Sequence, residues 1–501
     1  MHHKNIKVIV RKQLKTQFPN WKRLGHKVKQ TLVKQVLAEV EATYDFSIPV
    51  TTSKEELLGI EEQASYKGII NLQEMARFID MFHSSSIVRL SGYQRSPLYI
   101  KDEELRYVDE LLDDRIINRL LAYRGYSPAM REFLPSTLLR AELLKAIRYP
   151  EISYRKFCSE EYLGLDRQQN RVFCGLPLNR KEMIDHTRLC QFRRSLSFAQ
   201  QVNLLVYMLY HCNQSGLLGD TIIHSVDSTE LANDCKLPLF STKINGKNIR
   251  IYNDLDCDCG KRRNKRDKSP YVIGYRLHTL SAIDAATGHS VPLASLLAPA
   301  NHHDSHFLPF LVKLGQAMGI ELQLVSADEA YHDKDDSLFQ ETGVRMVIPP
   351  ASKVCLPAHV DAQAESIFCH GGCEVPMRHL GVDDGCHEFK CNATPGECTY
   401  SGTCPKYRII ALDSGHFQRV LSSCGQVQEA QNLRKNCERN FNLLKHQTGL
   451  ETVRVRSQQA TLARCTISSM AVLLIKMAGV RQKSSTSGPT QQLLWETKKA
   501  V

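Results

Sequence analysis

The chain has 501 residues, 42% of them hydrophobic, and a formal net charge of +12 at pH 7. A chain of this length divides into several cores rather than one. Apolar runs such as 470–475, which sits inside an amphipathic segment, fall far short of the ~18 residues that span a bilayer; with no secretory apolar stretch at the N-terminus, a cytoplasmic protein without a membrane partner is expected.

Residues 4–34 hold ten Lys or Arg before the first acidic residue, Glu39. Such a run attracts polyanions, nucleic acid foremost, although a solvated cationic face has the same composition. Periodicity, with capping residues or Pro at several starts, predicts helices over 27–43, 71–82, 102–121, 135–148, 182–195 and 198–211. The helix over 182–195 gathers His186, Arg188, Arg193 and Arg194, enough positive surface to read DNA, or equally a solvated face.

At residue 221 the pattern changes. TIIHSVDST reads as a buried strand ending at Asp227. A second basic run, GKRRNKRDK, puts Lys261, Arg262, Arg263, Lys265, Arg266 and Lys268 into eight positions. The Asp256, Cys257, Asp258 and Cys259 group before it reads as a polar loop. YRLHTLSAI and SVPLASLLA are two further strands, joined as a hairpin by the turn DAATGH. Asp304 is assigned to the N-cap of the helix that follows, ELQLVSADEAYHD is a strand ending at Asp328, and VRMVIPP is a fifth. Three strands, a helix and two more strands describe a mixed α/β sheet.

Seventeen cysteines without a secretory signal do not suggest a disulfide framework. Cys369, Cys373, Cys386, Cys391, Cys398 and Cys404 form pairs spaced C-x3-C, C-x4-C and C-x5-C, with His370, His379 and His387 nearby. Thiolate pairs on short turns let structural zinc hold a core-poor insert together, so residues 351–406 are expected to be a cysteine-rich, zinc-binding insert; metal-free or redox thiols are the other readings. YRIIAL returns to strand pattern, a helix covers 432–450, and the Ser/Thr-rich stretch past Arg481 is expected to be disordered.

Asp227 and Asp328 each end an apolar strand, where ligands bind in open α/β sheets. If those strands are neighbours, the two carboxylates converge and suit a hard cation, Mg2+ or Mn2+. Glu438 would add a third carboxylate from the late helix, with Arg434 and Lys445 on the same face one and two turns away. Arg434 and Glu438 are also an ordinary i,i+4 surface pair. The rival carboxylates are Asp254, Asp256, Asp304 and Glu329, the last sent to the opposite face by strand alternation.

This ordered set resembles the DDE transposases of bacterial insertion sequences. VDSTEL is similar to their first-Asp motif, ADEAYHD to their second, and YRLHTLSAIDAATGHSVPLASLLAPANHHDS to their hairpin and the Asn/His/Asp segment after it. RKNCERNFNLLK matches the R-x3-E-x6-K part of their signature at Arg434, Glu438 and Lys445; the Tyr that opens the full signature is Gln431 here. The likeness runs over residues 135–480 and includes LLRAELLKAIRYPEISYRKF and HTRLCQFRRSL.

The resemblance implies an α/β, RNase H-like mixed-sheet catalytic domain in two parts, 216–350 and 407–480, around the insert at 351–406. A helical DNA-binding or accessory domain at 129–215 would precede it, with 1–128 a basic then helical region of uncertain role and 481–501 a tail. It implies that Asp227, Asp328 and Glu438 hold two metal ions for DNA cleavage and strand transfer at the element's ends, and that Arg434 and Lys445 contact backbone phosphates. Lys261, Arg262, Arg263, Lys265, Arg266, Arg193 and Arg194 join them as candidate DNA contacts on charge alone. Double-stranded terminal-repeat and target DNA are the implied partners, with a dimer on the DNA. A retired transposase that only binds DNA, and a nuclease that cuts without joining, are the alternatives.

Overall fold

The structure, a computed structural model, describes residues 3–43, 53–84, 100–121, 133–219, 222–235, 237–244, 247–261, 270–331, 337–348, 360–361, 366–369, 375–383, 386–394, 396–398, 406–411, 432–452 and 454–485.

The basic N-terminus is a packed pair of helices, His3–Gln17 and His26–Thr43. Ile6, Val10 and Leu14 recur every fourth residue and, with Val33, Val36, Leu37 and Val40, cover Leu239, Ile249, Ile251 and Leu255. Those last residues belong to or flank the hairpin of β2 (Phe240–Ile244) and β3 (Lys247–Ile251). Several cations in this helix pair are spent inside the protein. Lys7 and Arg11 both reach the buried Asp258, and Lys15 reaches Asp256 at 2.5 Å. The expected polar loop at Asp256 and Asp258 is therefore a buried ion-pair seam, which lowers the carboxyl pKa of both through the neighbouring cations against the opposing effect of burial.

The helical middle is built around Pro135–Arg148 and Phe198–Ser215. Pro135 starts the first, where its missing N–H costs nothing, and a Ser197–Gln200 capping box starts the second. Between and against them lies Gln458–Ser485. This segment is buried on nearly every side rather than amphipathic as expected, because helices and the sheet surround it. By length and composition alone it could cross a membrane, yet 89% of its most apolar window is buried in protein.

The sheet positions the site. β1 (Ile222–Ala232) is central, antiparallel to β5 (Tyr271–Asp284) on one side and parallel to β7 (Leu324–Ala327) on the other. β8 (Arg345–Val347) extends the parallel side. β6 (Ser290–Pro299) and β4 (Asp258–Lys261) share the outer edge of β5. The β5–β6 turn closes through the Asp284 carboxylate, which accepts from the Ala286 amide and Thr287 hydroxyl, with Gly288 at φ +68°. The result is a mixed α/β sheet behind a helical N-terminal region.

Two assignments differ. Asp304 does not cap the helix Leu308–Ala317, which starts after Phe307; it opens a 3-10 turn capped by His303 and is buried against Arg276 at 2.7 Å. The YRIIA strand, β13 (Tyr407–Ala411), does not return to the main sheet. It pairs with β12 (Cys386–Lys390), which pairs with β11 (Arg378–Asp383), so a small sheet forms within the cysteine-rich region.

Candidate active site

Val226 of β1 lies in register with Ala327 of β7. Parallel strands stand about 4.8 Å apart, so the next residues, Asp227 and Asp328, stand side by side; only Asp328 follows a strand end, because β1 does not stop at Asp227 as expected but runs on to Ala232 along β5. The Asp227 carboxylate accepts from the Ser228 amide at 2.7 Å, and Asp328 accepts from Ala330 at 2.9 Å as the chain turns into the short helix Glu329–Tyr331. Glu329 is thus not on a strand, and alternation does not govern it.

Glu438 arrives on the helix Asn436–Asn442, which packs on β1, β5 and β6. Its packing face is Cys437, Asn440, Phe441 and Leu444, a stripe at i, i+3, i+4 and i+7. Glu438 stands on the exposed side of that stripe. A π-helical turn, Leu443–Gln447, follows. Lys445, within it, meets Glu451 at 3.6 Å. Arg434 reaches Asp227 at 3.5 Å. The two cations flanking Glu438 thus pair with other carboxylates.

Electrostatics join the three carboxylates. Burial pushes the Asp227 carboxyl up to about 6, the Ser228 amide and Arg434 pull it back, and the charges of Asp328 and Glu438 push it up again. One buried acid that feels two others is the situation a hard cation relieves. Among the described residues, no three His, Cys, Asp or Glu side chains are already gathered closely enough to hold an ion; Arg434 supplies the positive charge beside Asp227.

Around this point the sequence reading missed a buried network. Tyr331, three residues after Asp328, hydrogen-bonds Ser228 and, at 3.0 Å, His278 Nδ1. His278 stacks on Phe307, and burial holds its ring well below the usual imidazole range. Arg276 bridges Glu230 and Asp304. The signal available was polar residues inside the otherwise apolar strand YRLHTLSAI. The rival Asp254 is structural: buried, it accepts from Asn233, Tyr275 and the Ser457 amide.

A family profile described as the transposase DDE domain matches residues 246–474. Residues 246–474 are a transposase DDE domain. The matched span contains Asp328 and Glu438 and begins after Asp227, which β1 holds in register with two strands that it does contain. Among solved structures, this transposase is similar to a piggyBac transposase synaptic complex with hairpin DNA, at 9% identity and a TM-score of 0.33, over 82% of this chain and 80% of that one. No curated protein matches it.

The expected DNA contacts of the transposase divide by position. Arg194 and Lys261 are exposed. Arg193 is corrected: it is buried against Glu142 and the Tyr154 ring and offers no solvent-facing charge. Arg262, Arg263, Lys265 and Arg266 lie outside the described residues. Of the cysteines proposed for zinc, Cys369 and Cys391 share a small apolar cluster with Phe389, and Cys398 is half-buried. Cys373, Cys404, His370 and the side chains of Cys386 and His387 lie outside the described residues.

Proposed function

We propose that this transposase cuts DNA at the ends of its element and joins the freed strand to target DNA, with Asp227, Asp328 and Glu438 as ligands of Mg2+ or Mn2+. The observation that carries the reading is the adjacency of Asp227, within β1, and Asp328, just past the end of the parallel β7, with Glu438 near enough to raise the Asp227 pKa. The strand order β6-β5-β1-β7-β8, with β7 and β8 parallel to β1, supports an RNase H-like domain.

A divalent cation bound there neutralises the scissile phosphate and makes water or a 3′-hydroxyl a better nucleophile. The three carboxylates fix where that charge sits. With a cation held by the carboxylates, Arg434 would be free to contact a backbone phosphate; Lys445 would offer a second such contact, and Arg194 and Lys261 would extend the basic surface. In the first step water attacks phosphorus and the bond to the 3′ oxygen breaks, leaving a 3′-hydroxyl and a 5′-phosphate. In the second, that hydroxyl attacks a target phosphodiester and displaces another 3′ oxygen. Two ends must be held together, so the assembly on double-stranded DNA is a dimer. The cysteine region takes a structural zinc through Cys369 and Cys391 with neighbouring thiols, which metal analysis of the purified protein tests.

The test is product analysis on DNA carrying the sequences that flank this gene, with Mg2+ or Mn2+. Nicks bearing 3′-hydroxyls at defined ends, followed by joined products, support transposition. Cutting without joining indicates a nuclease, and tight binding without cutting a retired transposase.

A further inference from the structure

We infer that Asn440, held by Lys476, is a positioning residue that sets the rotation of the Glu438 helix and so aims the Glu438 carboxylate at Asp227 and Asp328. The inference rests on Glu438 as the third carboxylate of the site.

Asn440 is fully buried two residues after Glu438, on the face pressed to the sheet. Its amide nitrogen donates to Ser290 Oγ at 2.6 Å and Ser281 Oγ at 3.2 Å, tying the helix to β6 and β5. Its oxygen accepts from Lys476 Nζ at 3.2 Å, and Lys476 also donates to the Ser290 carbonyl. On the other flank of Glu438, Cys437 is buried where the helix packs on β1 and β5. Asn440 therefore supplies the directional anchor beside Glu438.

Phe441 and Leu444 stabilise the same contact, but apolar burial has no direction and tolerates roll. With side chains, a helix has a radius of about 5–6 Å, so a roll of about 10° moves a side-chain tip by about 1 Å; a displacement of that size at a reacting centre costs about 10²-fold in rate. Lys476 is equally telling. A buried cation normally needs an anion, yet Lys476 donates to two neutral acceptors, the Ser290 carbonyl and Asn440. Plain packing would be better served by Leu or Met at both positions.

The experiment compares wild type with Asn440→Leu/Lys476→Met, which keeps the volume and removes the directional bonds. Expected are retained folding, an unchanged KM for DNA, and kcat lower by about ten- to a hundredfold. Asn440→Asp keeps the shape, faces Lys476 with its charge, lets the two serines donate, and should recover activity to within about threefold of wild type. Should the double variant not fold, Ser290→Ala removes one anchor at nearly constant volume and is expected to show the same split. Mn2+ affinity, measured by calorimetry without DNA, completes a cycle. Glu438→Gln and the double variant should each weaken it, and the triple variant should be no weaker than Glu438→Gln. Unchanged kcat, or losses that add, overturns the inference. No effect of Glu438→Gln on Mn2+ affinity overturns the reading of Glu438 itself.

Discussion

Asp227 is the residue on which the site turns, since its buried carboxyl is pushed up to about 6 by burial and by two neighbouring acids. Removing either neighbour's charge should lower it. NMR titration of the metal-free protein is expected to find Asp227 titrating near 6 and moving towards the ordinary carboxylate range in Asp328→Asn and in Glu438→Gln; an unmoved value in both would separate the three acids. The sign for stability follows. An acid whose folded pKa is raised stabilises the fold below its unfolded pKa, and that contribution is lost as pH rises through the folded value. The metal-free protein should lose this contribution between about pH 4 and 6, and Mn2+ should restore it, as thermal unfolding with and without the ion would show. At this scale the sequence was legible at Asp328, which follows an apolar strand, but β1 was read as ending at Asp227 when it runs on to Ala232. It was opaque for Asn440 and Tyr331, whose roles depend on partners 159 and 53 residues away.

The Glu438 helix shows what element-level patterning reveals and hides. Its existence and its glutamate were readable from RKNCERNFNLLK, but the packing face was misjudged. Cys437 and Asn440 look polar in a sequence while serving as core positions here. The π turn that contains Lys445 has no periodic signature to read. Nor does the anchor at its end: Gly449 has φ +66°, and a Cβ there would lie 2.1 Å from the Pro150 carbonyl oxygen. Arg464 fastens the same point by donating to the Thr448 and Gly449 carbonyls. Gly449→Ala should therefore destabilise the protein by about 1–3 kcal/mol, and denaturant unfolding would measure it; a neutral substitution would show that this close approach is not kept in solution. The strands were easier to read, because β5 and β6 are buried nearly throughout and carry enough apolar residues to show it, and their turn carries its own signal, Asp284 to Gly288.

At the scale of the whole molecule, one buried polar cluster joins the helical region to the catalytic part, and one basic helix clamps the sheet's edge. The cluster sets the buried Glu142 among Arg193, Arg464, Tyr154 and Lys145. Burial, with the nearby arginines, pushes the Lys145 ammonium down to about 7. A base with a depressed folded pKa penalises the fold most below that value, and the penalty eases as pH rises towards the unfolded value near 10.5. Lys145→Met should thus raise the melting temperature more at pH 6 than at pH 9. An equal effect at both would place Lys145 outside the titrating cluster. The N-terminal clamp makes a further claim: Lys7→Met/Arg11→Met leaves the buried Asp258 without its two cations. Thermal unfolding should show a loss of stability that added DNA does not explain, whereas a pure DNA-binding role would leave stability unchanged. Composition gave no hint of this, because ion-paired and DNA-facing lysines read alike. What remains central is that Asp227, Asp328 and Glu438 serve one metal site, and the most direct measurement is anomalous X-ray scattering from crystals grown with Mn2+. The expected result is Mn2+ density bonded to Asp227 and Asp328 and reached by Glu438, with Arg434 turned away from Asp227. Mn2+ bound only elsewhere, or none at saturating concentration with Arg434 still on Asp227, would contradict it.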